Sequence, residues 1–273
     1  MNTNQVNRRN FLKLSATAGA ALALSPATAR TTEANTLKNK IKVRTLGRTG
    51  IKVPILSMGV MNADNPAVVR AAYNSGIFLF DTANGYQNGR NEEMLGEFFS
   101  DKPRSSFAIA TKVKTPQGDD AAAKFLEKFE VSMKRLRMDY VETLYFHAIS
   151  KVDDVNYAPI VEAMVKLKKE GRIKSIGISA HSNEPAIINA AIDNGNYDVV
   201  LTSYNYRKEY ASELNAAIDR AAKAGLGVVA MKTMAGVYLD KERTQKINVK
   251  AALKWVLQNP NVHTAIPGFT SFE

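Results

Sequence analysis

The chain contains no cysteine, which excludes disulfides, thiolate metal sites and cysteine nucleophiles and leaves the redox compartment open. Histidine is scarce as well. His147, His181 and His263 are the only three, and no two stand at metal-ligand spacing, so no metal centre is expected. No apolar run reaches the roughly 20 residues that a membrane-spanning helix needs. Acidic residues are outnumbered, 26 against 37 Lys and Arg, for a formal net charge of +11. That excess is scattered in singles and pairs such as Lys168-Lys169, without the interleaved aromatic and basic stripe of a nucleic-acid groove. It reads as a solvated surface, compatible with an anionic small molecule. What is present, 273 residues with 45% hydrophobic content, suffices for one large domain with a sizeable core.

The first 29 residues read as a leader outside the fold. Asn7-Arg8-Arg9-Asn10-Phe11-Leu12-Lys13 precedes an Ala-rich apolar run over 14–24, and Ala27-Thr28-Ala29 gives a small-x-small cleavage pattern. The paired arginines followed by x-Phe-Leu-Lys resemble a twin-arginine signal, which implies export of a folded protein to the periplasm. Arg8, Arg9 and Lys13 carry three of the positive charges, which leaves about +8 on the mature chain. Residues 30–40, rich in Thr, Asn and Lys, read as a linker, and 41–273 as the folded domain.

From residue 55 onward, short apolar runs alternate with amphipathic stretches. The runs at 55–58, 77–80, 107–111, 141–146, 173–179, 199–203, 226–231 and 264–266 are eight strand candidates. Helical stretches are expected at about 66–75, 91–99, 120–136, 155–170, 185–194, 210–223 and 248–259. Gly76, Gly171, Gly195 and Gly225 fall where left-handed caps would end helices. Near-continuous apolar strands between helices signal a parallel sheet covered on both faces. Eight in one domain predict a (β/α)₈ TIM barrel. A doubly wound sheet is the weaker choice, because no strand is followed by Gly-x-Gly-x-x-Gly. The sequence stops at Glu273, so the eighth helix and a C-terminal tail are expected to be missing, as in a fragment.

Active sites of such barrels form at the C-terminal ends of the strands. The second run ends in Phe80-Asp81-Thr82-Ala83-Asn84-Gly85-Tyr86, the third in Ala110-Thr111-Lys112, and the fourth in Tyr145-Phe146-His147. Singly, these residues have ordinary explanations: a cap, a loop aromatic, a rim charge, a rim histidine. Together on three successive strand ends they suit carbonyl reduction. Tyrosine, with a reference pKa of about 10, needs a neighbouring ammonium to favour phenolate. A carboxylate would orient that ammonium, and a histidine would hold the carbonyl oxygen as negative charge develops on it.

The stretch from Phe80 to Tyr86, with Gly89, Asn91, Glu92, Leu95 and Gly96 behind it, resembles the aldo/keto reductase signature. Leu46-Gly47-Arg48-Thr49-Gly50 with Val53-Pro54 resembles that family's opening segment, and the likeness runs over residues 42–273. It implies a tetrad in which Tyr86 donates the proton, Lys112 and Asp81 tune it, and His147 orients the carbonyl. It also implies a nicotinamide cofactor, NADPH or NADH with a lean to NADPH, laid over the barrel mouth. Ser179 matches the first residue of a Ser-Asn pair that holds the carboxamide, but Ala180 replaces the amide, and Leu201 stands where glutamine is usual. Met231 falls where an aromatic commonly stacks on the nicotinamide, and Tyr204 is placed among the cofactor residues with it. Lys232 is expected near the pyrophosphate, and Pro267-Gly268 resemble the phosphate-binding turn. Loop 232–247 reads as a lid. Exported relatives of the family can carry a Cys-rich iron–sulfur tail, for which this sequence stops too early.

The expected activity is reduction of aldehydes or ketones, or oxidation of the matching alcohols. The alternative is a cofactor-binding sensor or partner subunit on the same barrel, favoured by Ala180, Leu201 and Met231 and opposed by the intact tetrad. A glycosidase is ranked last, because only Asp81 sits clearly at a strand end and paired carboxylates are required. Scarce free cofactor outside the cytoplasm implies tight binding and regeneration by a second substrate or redox partner.

Overall fold

The computed structural model describes residues 41–270, and residues 41–273 form a compact unit of their own. The leader and linker lie outside the described residues, as would any helix or tail that follows the last barrel strand. Two short antiparallel strands come first, β1 (Val43–Thr45) and β2 (Lys52–Pro54). Eight parallel strands follow: β3 (Met58–Gly59), β4 (Leu79–Asp81), β5 (Ala108–Val113), β6 (Val141–Ile149), β7 (Ile173–Ala180), β8 (Val199–Ser203), β9 (Gly227–Met231) and β10 (Thr264–Ala265). They pair in sequence order, and parallel bridges Leu56–Ala265 and Gly59–Gly268 join the first to the last. The sheet therefore closes into the expected barrel.

The helices are α1 (Pro66–Asn74), α2 (Arg90–Phe99), α3 (Ala121–Leu136), α4 (Val152–Val155), α5 (Ala158–Lys169), α6 (Glu184–Asn194), α7 (Ala211–Lys223) and α8 (Val249–Gln258). Local chemistry sets their ends. Asn65 and Asn248 accept from the backbone N–H of Ala67 and Ala251, each at 2.9 Å, as N-caps of α1 and α8. Gly195 ends α6 with φ of 76°, a left-handed conformation that costs glycine little. The helix expected over 155–170 is two, because the chain leaves helical geometry at Asn156 and restarts with Pro159 in the first turn of α5. The first expected strand begins three residues late, at Met58, since 55–57 contribute only isolated contacts to β10.

Strand alternation sorts the core into two layers. Ile176 and Ile178 of β7, Val200 of β8 and Val228 and Ala230 of β9 face the helices in the larger cluster. Leu79, Ala108, Ala110, Tyr145, Val199, Leu201, Val229, Met231 and Ile266 fill the barrel interior. Leu46 and Val53 of the β1–β2 hairpin join that inner cluster and plug the barrel at the N-terminal ends of the strands. The plug fits because β9 starts with glycine, where a Cβ would come within 2.6 Å of the Leu46 side chain.

Candidate active site

Parity along the strands delivers the expected residues to one rim. Asp81 follows the inward Leu79 by two, Lys112 follows Ala110, and His147 follows Tyr145. Asp81 and Lys112 are 3% and 1% exposed. The Lys112 ammonium donates to Asp81 Oδ1 and, at 2.7 Å, to the Thr82 carbonyl. Asp81 Oδ2 is buried without a partner. A buried ion pair of this kind adds little net stability, since desolvation offsets the attraction, but it fixes the position of the ammonium.

Tyr86 opens a short 3₁₀ turn, Tyr86–Gly89, in which Gln87 and Asn88 take φ of 50° and 56°. Such left-handed side-chain residues are strained and need support. The support comes from behind. Arg135 of α3 donates to the Asn84 carbonyl at 2.9 Å and pairs with the buried Glu92 at 3.4 Å. Glu92 also accepts from Thr111 at 2.7 Å. Asn84 donates to Ser132 and to the Lys128 carbonyl, each at 3.0 Å. Held this way, the Tyr86 ring meets the His147 ring edge-on with centroids 5.9 Å apart, and Lys112 Nζ lies 5.1 Å from the Tyr86 centroid.

Burial dominates the electrostatics. It raises the Tyr86 pKa above the usual phenol value, with Lys112 pulling down and Asp81 pushing up by less. Lys112 thus acts on this phenol in the expected direction, but the desolvation that comes with tertiary packing is larger and sets the net shift. Burial likewise raises Asp81, opposed by Lys112. His147 is lowered to about 3 by burial, then by Lys112, His181 and Lys114. It is a neutral imidazole at physiological pH.

A cleft of about 190 Å³ is lined by Asp81, Tyr86, Lys112, Met231, Lys232 and Gly268 among others; His147 is not among its lining residues and borders it through its ring contacts with Tyr86 and His181. Pro267 is buried directly beside Gly268. Ser179 and Tyr204 do not reach the cleft. Ser179 is fully buried and accepts from the Ala148 N–H at 2.8 Å. Tyr204 packs outward on Trp255, with ring centroids 4.9 Å apart, and its hydroxyl donates to Asn215 at 2.7 Å. Loop 232–247 is pinned by Arg207, whose guanidinium donates to the carbonyls of Tyr238 and Leu239 at 3.0 and 2.9 Å.

The structure adds His181, which lines the cleft 6.2 Å from the His147 ring and has a buried, unpartnered Nδ1. Burial, with Lys232 and Lys112, lowers it to about 4. Its position two residues after the inward Ser179 was the signal that could have found it. A wider depression of about 510 Å³ at the other end of the barrel, around Arg104, Tyr140 and Glu142, holds none of these groups. Among the described residues no cluster of three potential metal ligands occurs, and no helix is long and apolar enough to cross a membrane.

Comparison with known proteins agrees with this geometry. The model of the aldo/keto reductase family matches residues 57–251, and that of the twin-arginine translocation pathway signal matches residues 5–25. L-galactose dehydrogenase of Arabidopsis thaliana is 32% identical over 215 residues, covering 72% of this chain and 66% of the relative. D-threo-aldose 1-dehydrogenase of a Pseudomonas species is 26% identical, covering 66% of each. This chain therefore spans about two thirds of the length of these curated relatives. Among solved structures, an aldo-keto reductase of Bacillus halodurans in its holo form superposes with a TM-score of 0.71 at 25% identity, covering 85% of this chain and 87% of that one. A putative aldo-keto reductase of Pseudomonas aeruginosa gives 0.69 at 27% identity, with 83% and 88% covered. The chain belongs to the aldo/keto reductase family, a family of oxidoreductases, and carries a signal for export by the twin-arginine pathway.

Proposed function

We propose that this protein reduces aldehyde or ketone carbonyls with a nicotinamide cofactor, Tyr86 giving the proton to the carbonyl oxygen. The observation that carries this reading is the buried Asp81–Lys112 pair, which sets an ammonium 5.1 Å from the Tyr86 ring on the rim that also bears His147. Bound nicotinamide supplies the hydride. A carbonyl oxygen placed between Tyr86 and His147 accepts a hydrogen bond from each. As charge grows on that oxygen the Tyr86 proton moves to it, and the Lys112 ammonium stabilises the phenolate left behind. In the oxidative direction the same phenolate accepts the alcohol proton. A neutral His147 suits its task, because it can donate a hydrogen bond without competing as the acid.

The residues present fit such a cofactor. Met231 and Ile266 give the cleft an apolar wall for a planar ring, and the unpartnered His181 Nδ1 offers a polar contact to a carboxamide. The exposed Lys232 and the Pro267-Gly268 turn suit phosphates. Both NADPH and NADH are compatible with these contacts, with NADPH the expected choice. The names of the two curated relatives direct the substrate search to aldoses. None of these relatives supports the sensor reading. Residues 1–29 act as the export signal and 30–40 as a linker, placing the barrel domain of 41–273 in the periplasm. There the cofactor is held tightly and regenerated by a second substrate or redox partner.

The test is absorbance of reduced nicotinamide with the leader-free protein and a panel of aldoses, aldehydes and ketones. Consumption with one cofactor and not the other fixes the preference. Cofactor binding without turnover on any carbonyl contradicts the proposed reaction.

A further inference from the structure

We propose that Ser179 is a positioning residue that holds His147 in its reacting orientation by capping a β-bulge at Ala148; this rests on the carbonyl-reducing role of His147 proposed above. The register shows the bulge. Phe146 pairs with Ile178, but Ile149 pairs with Ala180, so three steps along β6 match two along β7. One residue of β6 is therefore extra. Ala148 takes φ of 59°, a left-handed conformation that costs an alanine. Side-chain parity agrees. Strict alternation from Phe146 would turn Ile149 inward, yet both pack in the helix-facing cluster. His147 is thus the last inward residue before the strand kinks.

A bulge residue loses its ladder partner, and a buried N–H without one is costly. Ser179 Oγ fills that need at 2.8 Å from the Ala148 nitrogen. Ser179 is fully buried. Among the described residues no hydrogen bond holds the His147 imidazole itself, so its aim depends on the backbone that carries it and on the rings of Tyr86 and His181.

The experiment compares Ser179→Ala with Ser179→Thr, which keeps the hydroxyl, in the leader-free protein. Three quantities are read: kcat on a turned-over carbonyl, cofactor Kd by fluorescence, and amide hydrogen exchange at Ala148. Ser179→Ala is expected to lower kcat about tenfold or more, to leave cofactor Kd within about twofold, and to lose Ala148 protection. Ser179→Thr is expected to retain all three. On a His147→Ala background Ser179→Ala should remove little further activity. A large rise in cofactor Kd with kcat unchanged, or full additivity with His147→Ala, overturns the proposal. Should the native protein reduce no carbonyl, the proposed reaction fails. Ala148 exchange then decides the bulge separately, and unchanged protection in Ser179→Ala overturns it.

Discussion

Lys112 and Asp81 form an ion pair that is almost wholly removed from water, with the ammonium 5.1 Å from the Tyr86 ring. The pair links β4 to β5 and places a positive charge beside the Tyr86 phenol. Its two halves have different consequences for stability and for catalysis.

Lys112→Met leaves a buried carboxyl without its counter-charge and is expected to destabilise the fold by about 3–5 kcal/mol. Pairing it with Asp81→Leu should recover most of that stability, because two apolar side chains replace two desolvated charges. Activity should not recover. Urea denaturation and kcat on the single and double variants check both statements, and recovery of activity in the double variant would contradict the role given to the ammonium.

The pH dependence follows from the same burial. His147 and His181 are lowered to about 3 and about 4, so neither changes charge between pH 5 and 8. With Tyr86 raised above the usual phenol value, the reductive kcat should be flat across that window and fall only in alkali. Alcohol oxidation, which needs phenolate, should instead rise with pH. An inflection near 6.5 in the reductive profile would contradict a neutral His147.

Stability moves in a defined direction as well. Below the unfolded value of about 6.5 the unfolded chain binds protons that folded His147 and His181 refuse. The fold therefore loses stability as pH drops from about 6.5 toward 3 to 4. Replacing His181 by Gln should shallow that slope, as read from denaturation midpoints at pH 7 and 4.5.

Leu46 offers a contrast from the far end of the barrel. Leu46→Ala opens a void in the inner cluster at 1% exposure and should cost about 2–5 kcal/mol. No described contact joins it to the rim, so kcat below the unfolding temperature should remain near the native value. Loss of activity without loss of stability would contradict its role as a plug.

Much of this was legible in the sequence because doubly covered strands are nearly continuous apolar runs. That Asp81, Lys112 and His147 share one rim with Tyr86 was legible because strand ends are where such barrels place chemistry. Parity could have done more. Counting from the inward Leu201 turns Tyr204 toward the helices, and counting from Ser179 turns His181 into the cleft. The three-residue strands of the hairpin escaped notice because Arg44 and Lys52 interrupt any apolar pattern. The bulge at Ala148 and the raised Tyr86 pKa were beyond reach. Both arise from how β6 meets β7 and how the rim is buried, which no local pattern encodes.

The central claim is that Tyr86 supplies the proton. Tyr86→Phe keeps the ring against His147 and removes only the hydroxyl. With cofactor Kd unchanged, carbonyl reduction should fall by about 10²-fold or more, the scale of a lost general acid. Reduction at the native rate in that variant, with cofactor still bound, would contradict the account.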